Sequence, residues 1–404
     1  VTAPSREQLH TNPLLPHAEA RLEGYLTDLA ALVAIDSGSY SPVGVNQMAD
    51  WTQNRLHRLG FDVERVTPAS SHGHPVGDMI LARKAGSLPV EQGGRRILLV
   101  AHLDTVFDDG IAAARPFHLD GHTARGPGVS DDKAGLLAGI TALEILEETR
   151  ASQYAELVFL ATPDEEIGSP ASRPMTEAAA RGVHFALALE CARENGDLVI
   201  ARKGVADFRV SVTGRAAHAG IEPERGANAA LAAAHLVVAL QSLNGHWDDV
   251  TVNVGVVRAG SRTNIVCPEA ELRVEVRSAT AAGLAAARSA IESAAARPAV
   301  AGTTATAEQL DLCPSMEDTP SSRRMFDQAR YLAAGLGISL GAAATGGVGD
   351  ANFIAGLGVP TLDGLGPVGG ADHTPEEWLD TSTVPARVAL LASLIADLGD
   401  SRTG

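Results

Sequence analysis

Apolar residues recur at helical spacing from Ala18 to Ile35, where Leu22, Tyr25, Leu26, Leu29, Leu32 and Val33 share one face. A second helix is predicted from Gln47 to Leu59, stopped by Gly60. Strand patterns follow at Asp78–Arg83, Arg96–Ala101, Glu156–Ala161 and Phe185–Leu189. Between the second and third of these, Lys133–Glu148 reads as a helix with one apolar face and an acidic end. Ser70–Pro75 and Asp108–Pro127 read as surface loops. Strands alternating with helices predict an α/β fold, a three-layer domain around a mostly parallel sheet.

Near Lys203 the pattern changes. Phe208–Thr213, Val250–Val257, Glu271–Arg277 and Thr303–Gln309 read as strands, with helices over Asn228–Leu243 and Ala281–Ala296. The order β-α-β-β-α-β predicts a ferredoxin-like α+β unit. After Cys313 the first pattern resumes, with a helix near Ser322–Ala334, strands near Ile338 and Thr361, and a closing helix from Val384. The economical organisation is one α/β domain, 1–203 and 313–404, interrupted by a small domain at 204–312.

Composition narrows the function classes. At 404 residues two domains are expected, and a hydrophobic fraction of 45% supplies ample core. A formal net charge of −17 disfavours nucleic acid and anionic membrane as partners. No apolar run approaches the roughly 20 residues of a membrane span. The start, Val1-Thr2-Ala3-Pro4-Ser5, lacks a signal-peptide pattern, so a cytoplasmic location is expected, although removal of a leader would leave the same chain. Cys191, Cys267 and Cys313 are odd in number and have no C-x-x-C spacing, so any metal site must be built from His, Asp and Glu.

The candidate chemistry sits at strand ends. Arg96–Ala101 runs into His102-Leu-Asp104, and alternation turns both side chains the same way. Alone, this pair fits a strand-end histidine capped by an aspartate equally well. The strand 156–161 leads to Asp164-Glu165-Glu166, and the strand 185–189 to Glu190. Gly126-Pro-Gly-Val-Ser-Asp131-Asp132-Lys133 puts two aspartates at the start of a helix, and Gly369-Gly-Ala-Asp-His373-Thr places a histidine in a glycine-rich loop. Open α/β sheets bind ligands beyond the carboxyl ends of their strands, so five segments aim at one place. Four or five converging carboxylates would repel one another unless cations intervene. Two divalent ions answer that, and mixed N/O ligation favours zinc, with cobalt or manganese as substitutes. Asp131 is the better candidate to bridge them, while Asp132 suits a helix cap. Of two adjacent glutamates, one can bind metal while the other handles a water proton.

These motifs together resemble the dinuclear zinc exopeptidase and amidohydrolase superfamily, which includes glutamate carboxypeptidase (carboxypeptidase G), aminoacylase and succinyl-diaminopimelate desuccinylase. The texture is most like the carboxypeptidase G branch, including Thr345-Gly-Gly-x-x-Asp350. The resemblance spans nearly the whole chain. It implies two Zn2+ held by His102, Asp131, Glu166, Glu190 and His373, with Asp131 bridging, Glu165 as general base and Asp104 orienting His102. Thr213-Gly-Arg-Ala-Ala-His218-Ala-Gly220 resembles a lid motif whose histidine completes a partner subunit's site. Asn264 and Arg277 resemble positions that hold a substrate carboxylate, which guanidinium grips bidentately. A turn histidine and a strand-end surface charge are the plain alternatives for His218 and Arg277.

The resemblance thus implies a metallo-exopeptidase, a homodimer through the inserted domain, acting on a small peptide or N-acyl amino acid with a free carboxylate. N-acyl-amino-acid hydrolase and dipeptidase are the alternatives within the superfamily. A non-catalytic amino-acid or peptide binding protein is the alternative outside it, and a two-metal phosphoesterase lacks a basic phosphate cradle. His72, His74, His118, His122 and His246 are expected in solvated loops, and His184 and His235 in packing roles. Lys203 is expected as a surface charge, and alternation is expected to turn Cys191 away from the metals.

Overall fold

The computed structural model describes residues 12–70, 73–297 and 299–400; His72 and the Val1–Ser5 start discussed above lie outside them. The first segment contains α1 (Leu15–Glu19), α2 (Leu22–Val33), α3 (Pro42–Arg58), β1 (Asp62–Val66), β2 (Met79–Ala85) and β3 (Arg96–His102). It continues through α4 (Ile111–Ala114), β4 (His118–Asp120), β5 (Thr123–Arg125), α5 (Lys133–Glu148), β6 (Glu156–Thr162), α6 (Arg173–Ala180), β7 (Phe185–Ala188) and β8 (Leu198–Arg202). Next come β9 (Gly204–Thr213), α7 (Ala229–Gln241), β10 (Val250–Ala259), β11 (Glu269–Ser278), α8 (Ala281–Ala295) and β12 (Thr304–Cys313). The last segment holds α9 (Pro320–Ala334), β13 (Ala342–Thr345), α10 (Asp350–Ala355), β14 (Thr361–Leu362), β15 (Gly369–Gly370), β16 (Trp378–Asp380) and α11 (Val384–Gly399). Two compact units divide the described residues. One runs up to Ile200 and adds Asp318–Ala344 and the chain from Gly349; the other is Ala201–Glu317 with Thr345–Val348.

The first unit is organised by a six-stranded sheet in the order β1-β2-β6-β3-β7-β14. Strands β6, β3, β7 and β14 run parallel, and β1 and β2 add antiparallel. The run Ile97 to His102 is buried throughout, as expected of a central parallel strand covered on both faces. Helix α5 is buried from Lys133 to Leu143 and packs against α11, whose buried residues include Leu390, Leu391 and Leu394. Because β3 lies between β6 and β7, the chain leaves the sheet in opposite directions on either side of β3's carboxyl end. That crevice is where open α/β sheets place their ligands.

The second unit is one antiparallel sheet, β10-β11-β9-β12, with α7 and α8 packed on it. Along β11 burial alternates from Glu269 to Ser278, so Leu272, Val274 and Val276 face the helices while Glu271, Arg273, Glu275 and Arg277 share the other face. This is the ferredoxin-like pattern that the element order predicts.

Several local expectations are corrected. The stretch Asp108–Pro127 is not simply a loop: it contains α4 and the β4–β5 hairpin, and β5 pairs with β16. These pieces are too short, at three or four residues, to show a period. The strand expected near Ile338 starts at Ala342 instead; its Ala-Ala-Ala-Thr sequence is mostly alanine, a weak strand former, and gives little signal of its position. β1, a charged Asp-Val-Glu-Arg-Val edge, and the polar helix α6 escaped the apolar pattern altogether. His235 lies on the exposed side of α7 rather than in packing, and His118 lies in β4.

Gly135 in α5 marks the tightest approach of helix to sheet. A Cβ there would stand 1.8 Å from the carbonyl oxygen of Leu189 and 2.0 Å from Asp132 Oδ1. Gly24, in α2, has nothing within 4 Å of that position. Gly135→Ala is therefore expected to lower stability by about 1–3 kcal/mol, whereas Gly24→Ala should raise it by about 0.5–1 kcal/mol. Urea unfolding of the two variants checks both signs.

Candidate metal centre

His102 is the last residue of β3, pairs in register with Thr162 at the end of β6, and is 2% exposed. Its Nδ1 lies 3.0 Å from the backbone oxygen of Asp104, which fixes the ring with Nε2 directed outward from the strand. That nitrogen faces Asp131 Oδ1 at 2.8 Å and Glu190 Oε1 at 3.7 Å. Glu190 arrives because the backbone N–H of Leu189 still bonds to Val100, which carries the chain just past the end of β7.

Asp131 stands on the turn Gly126–Asp132, where Gly126 (φ 149°) and Gly128 (φ 71°) adopt backbone angles that side chains rarely tolerate. Its second oxygen, Oδ2, is 3.2 Å from His373 Nε2, and the same nitrogen is 3.0 Å from Glu166 Oε2. His373 reaches there from a tight loop in which Ala371 (φ 56°) and His373 (φ 63°) are both left-handed. Two groups of donors result: His102, Asp131 and Glu190, and Asp131, Glu166 and His373, each with its ligand atoms within 4.8 Å of one another. Asp131 belongs to both.

Electrostatics reflect the crowding. Burial, then the neighbouring Glu190, Asp350 and Glu166, pushes the Glu165 carboxyl well above the ordinary carboxylate range, although His102 opposes the rise. Burial also raises Glu166, with Asp131 adding repulsion. Burial would lower His102, but hydrogen bonds to Asp104 and Asp131 outweigh it and hold the imidazole well above its usual value. Hydrogen bonds to Asp131 and Glu166 lift His373 to about 10. Asp131, flanked by both imidazoles, is held below the normal range despite burial. The carboxylates of the cluster thus favour positive charge between them.

Other expected residues fall differently. The Asp104 side chain does more than face His102, whose Nδ1 is 3.4 Å from Oδ1. It accepts from Ser39 Oγ at 2.6 Å and from the backbone N–H groups of Glu165 and Glu166 at 3.2 Å each, so it carries the turn that presents both glutamates. Asp132 occupies the first position before α5 but makes no side-chain cap bond; its Oδ2 accepts weakly from the His102 N–H at 3.4 Å. Cys191 is not turned away: β7 has ended at Ala188, alternation no longer applies, and its Sγ lies 3.5 Å from Asp372 Oδ2.

Within the second unit, His218 is exposed, with its Nδ1 accepting from the Gly220 N–H at 3.2 Å. Asn264 is exposed and its backbone oxygen accepts from Ala219 at 3.0 Å. The Arg277 guanidinium grips Glu275 with Nε at 2.8 Å and Nη2 at 3.1 Å, and donates from Nη1 to the oxygen of Gly346 at 2.8 Å.

Two carboxylates are given no role by the sequence, although Asp350 ends the Thr345-Gly-Gly-x-x-Asp350 segment. Glu377 is 1% exposed and accepts three backbone N–H bonds, from Gly128 at 2.9 Å, Ser130 at 2.8 Å and Asp131 at 3.0 Å. Burial still pushes it up to about 7. Asp350, likewise raised to about 6 by burial, accepts from Thr162 Oγ1 at 2.6 Å and Ser169 Oγ at 2.5 Å. The only signal for Glu377 was an acidic residue four positions after His373, just before an apolar strand.

An assembly of two imidazoles around a shared carboxylate at the end of a parallel sheet is the arrangement of a metallohydrolase. The profile of Peptidase family M20/M25/M40 matches residues 98–397. Carboxypeptidase G2 of Pseudomonas sp. (strain RS-16) is 30% identical over 402 residues, covering 99% of this chain and 95% of that protein. Among solved structures, the aminopeptidase PepT of Bacillus cereus ATCC 10987 has a TM-score of 0.72 at 22% identity, covering 93% of this chain and 98% of that one. The M20 family metallo-carboxypeptidase Sso-CP2 of Sulfolobus solfataricus has a TM-score of 0.64 at 14% identity, covering 92% and 98%. The chain belongs to Peptidase family M20/M25/M40 and is an enzyme of that metallopeptidase and amidohydrolase group.

The buried Asp104 carboxylate gives a direct test of this architecture. Asp104→Asn keeps an oxygen for one of the two backbone N–H groups but turns its NH2 against the other, and should cost about 1–3 kcal/mol. Ser39→Ala removes one hydroxyl donor and should cost less, about 0.5–1.5 kcal/mol. Guanidinium unfolding of the metal-free proteins measures the difference.

Proposed function

We propose that the chain is a two-zinc exopeptidase that releases a C-terminal amino acid, with glutamate the leading choice, from a small peptide or N-acyl amino acid. The observation that carries this reading is the pair of three-donor groups sharing Asp131, with Glu165 beside them and in neither. The donors fit divalent cations. Deprotonated carboxylates only accept, and a neutral imidazole whose N–H is committed elsewhere, as His102 Nδ1 is to the Asp104 oxygen, presents a lone pair at its other nitrogen. Burial and then neighbouring carboxylates raise Glu165 and Glu166, and positive charge between them relieves the second of these. His102, Asp131 and Glu190 would hold one ion, and Asp131, Glu166 and His373 the other. Mixed nitrogen and oxygen ligation favours Zn2+, with Co2+ or Mn2+ as substitutes.

When bound, the ions polarise the scissile carbonyl and acidify a water molecule. The remaining work belongs to side chains. Glu165 takes the water's proton on its carboxylate and returns it to the leaving nitrogen. Asp104 holds the Glu165–Glu166 turn by its two N–H groups and keeps the His102 ring in place. By resemblance, His218 would stabilise the tetrahedral oxyanion, and Asn264 and Arg277 would anchor the terminal carboxylate. In the same reading 1–203 and 313–404 form the catalytic domain, and 204–312 is a lid and dimerisation domain. Exposed Leu231 and Val238 on α7, with Val256 and Val257 on the edge strand β10, support a homodimer through that domain.

A cleft of about 490 Å3 adjoins Glu166, lined by Ser39, Tyr40, Phe107, Asp108 and Asp109 among others and by no Lys or Arg. It suits an uncharged acyl group better than an anionic one. Among substrates sharing one C-terminal residue, succinyl derivatives should therefore be the poorest and benzoyl or acetyl derivatives better. A panel of N-acyl amino acids and dipeptides, with zinc added back, tests the reading. A requirement for a free amine would favour a dipeptidase, and no turnover of any member would favour a non-catalytic binding protein.

Glu165→Ala should lower kcat by about 10²- to 10⁴-fold while metal content per chain, measured by plasma emission, stays that of the parent. Loss of both together would undercut its role as base. Chelation should lower the thermal midpoint, since ions present at 100 times their Kd add about 2.7 kcal/mol. Differential scanning calorimetry with and without added zinc measures this.

A further inference from the structure

We propose that Glu377 is a positioning residue that sets the orientation of Asp131, so that one carboxylate serves both donor groups at once. The inference rests on the reading that Asp131 bridges two cations. Three N–H groups of the 128–131 turn converge on the Glu377 carboxylate, the third being that of Asp131 itself. Such a ring of backbone donors is an anion hole, here filled by the chain's own side chain. Three donors converging on one carboxyl group fix its direction as well as its distance. The turn also lies close against its neighbours. At Gly128 a Cβ would meet Thr105 Cγ2 at 2.6 Å, and at Gly369 it would meet Ser130 Oγ at 2.1 Å.

Glu377 also ties together the two segments that must agree. It lies four residues after His373, and its own N–H bonds to Thr374, so the His373 loop and Glu377 move as one piece. Thr374 in turn closes that loop through its N–H and Oγ1 on the oxygen of Ala371. The carboxylate thus clamps the His373 loop onto the Asp131 turn, segments some 240 residues apart in sequence. Asp131 Oδ1 is thereby left facing His102 and Oδ2 facing His373. Lys133, 1% exposed, donates from Nζ to the oxygen of Ile35 at 2.8 Å and lies within electrostatic reach of Glu377.

Titration of the metal-free protein with Co2+, followed by visible absorption and calorimetry, tests the proposal without recourse to activity. Glu377→Ala should weaken Co2+ binding about 10- to 100-fold and change the shape of the d–d absorption band. Glu377→Gln keeps an oxygen for the Ser130 and Asp131 N–H groups but turns NH2 toward Gly128, so it should fall between parent and Glu377→Ala. It also serves if Glu377→Ala does not fold. Leu391→Ala, a fully buried α11 residue remote in role, should lower the thermal midpoint while leaving Co2+ affinity and spectrum unchanged. Parental affinity and an unchanged band in the folded Glu377 variants would overturn the proposal. Fewer than two Co2+ per chain in the parent would instead overturn the two-cation reading on which it stands.

Discussion

Asp131 offers one oxygen to His102 and the other to His373, and nearly every feature of the first unit bears on keeping that carboxylate where it is. Its neighbours come from β3, β6 and β7, so the sheet order places three of the contributors at adjacent strand ends. The fourth and fifth come from irregular turns that no strand holds. A carboxylate between two imidazoles has no strong preference for either, and small displacements would give it wholly to one. The constraint must therefore be supplied by the turns themselves.

It is supplied by spending buried carboxylates on backbone N–H groups. Asp104 holds the turn bearing Glu165 and Glu166, Glu377 holds the turn bearing Asp131, and Asp164 accepts from Ala171 at 2.7 Å at the next bend. Each of these groups is 1% exposed or less, so each loses hydration that must be replaced by donors. Turns of Gly, Pro and Ser are otherwise soft, and a charged acceptor at their centre makes them as fixed as a strand end. Arg387 does the converse with a buried guanidinium, donating to the backbone oxygens of Gly366 at 2.9 Å and Gly196 at 3.0 Å. Gly366 in turn bonds through its N–H to the Glu190 oxygen, so this cation steadies the segment that carries Glu190.

How much of this was legible follows from the range of each signal. Period and alternation are local, and they located β3, β6, β7 and α5 because those segments are buried along several consecutive residues. The acidic and imidazole residues at their ends could be aligned by the rule that ligands gather beyond strand ends. Glu377 could not, since its partners lie some 250 positions earlier in the chain and an isolated glutamate before a strand looks solvated. The same holds for the bonds from Asp104 to residues about 60 positions later. Cys191 was misread for a different reason, because alternation was extended past the last paired residue of β7. Short pieces such as β4 and β5 owe their form to β16, and no window of three residues can reveal a partner that distant.

The carboxylate-anchoring role proposed for Arg277 asks how a binding group could be held ready until it is used. Its guanidinium grips Glu275, two residues away on the same face of β11, and both side chains are more than a third exposed. An ion pair in that setting contributes only about 0.2–1 kcal/mol. Glu275 therefore holds the side chain extended and pre-oriented without binding it tightly, and the Gly346 oxygen adds a second anchor at Nη1. For the carboxylate-anchoring role proposed for Arg277, an incoming carboxylate would exchange with Glu275 at small net cost. Ordering a long side chain in advance removes part of the entropy otherwise lost on binding, on the order of 0.5–1.5 kcal/mol for such a group. The weak pair is thus more useful to binding than a strong one would be.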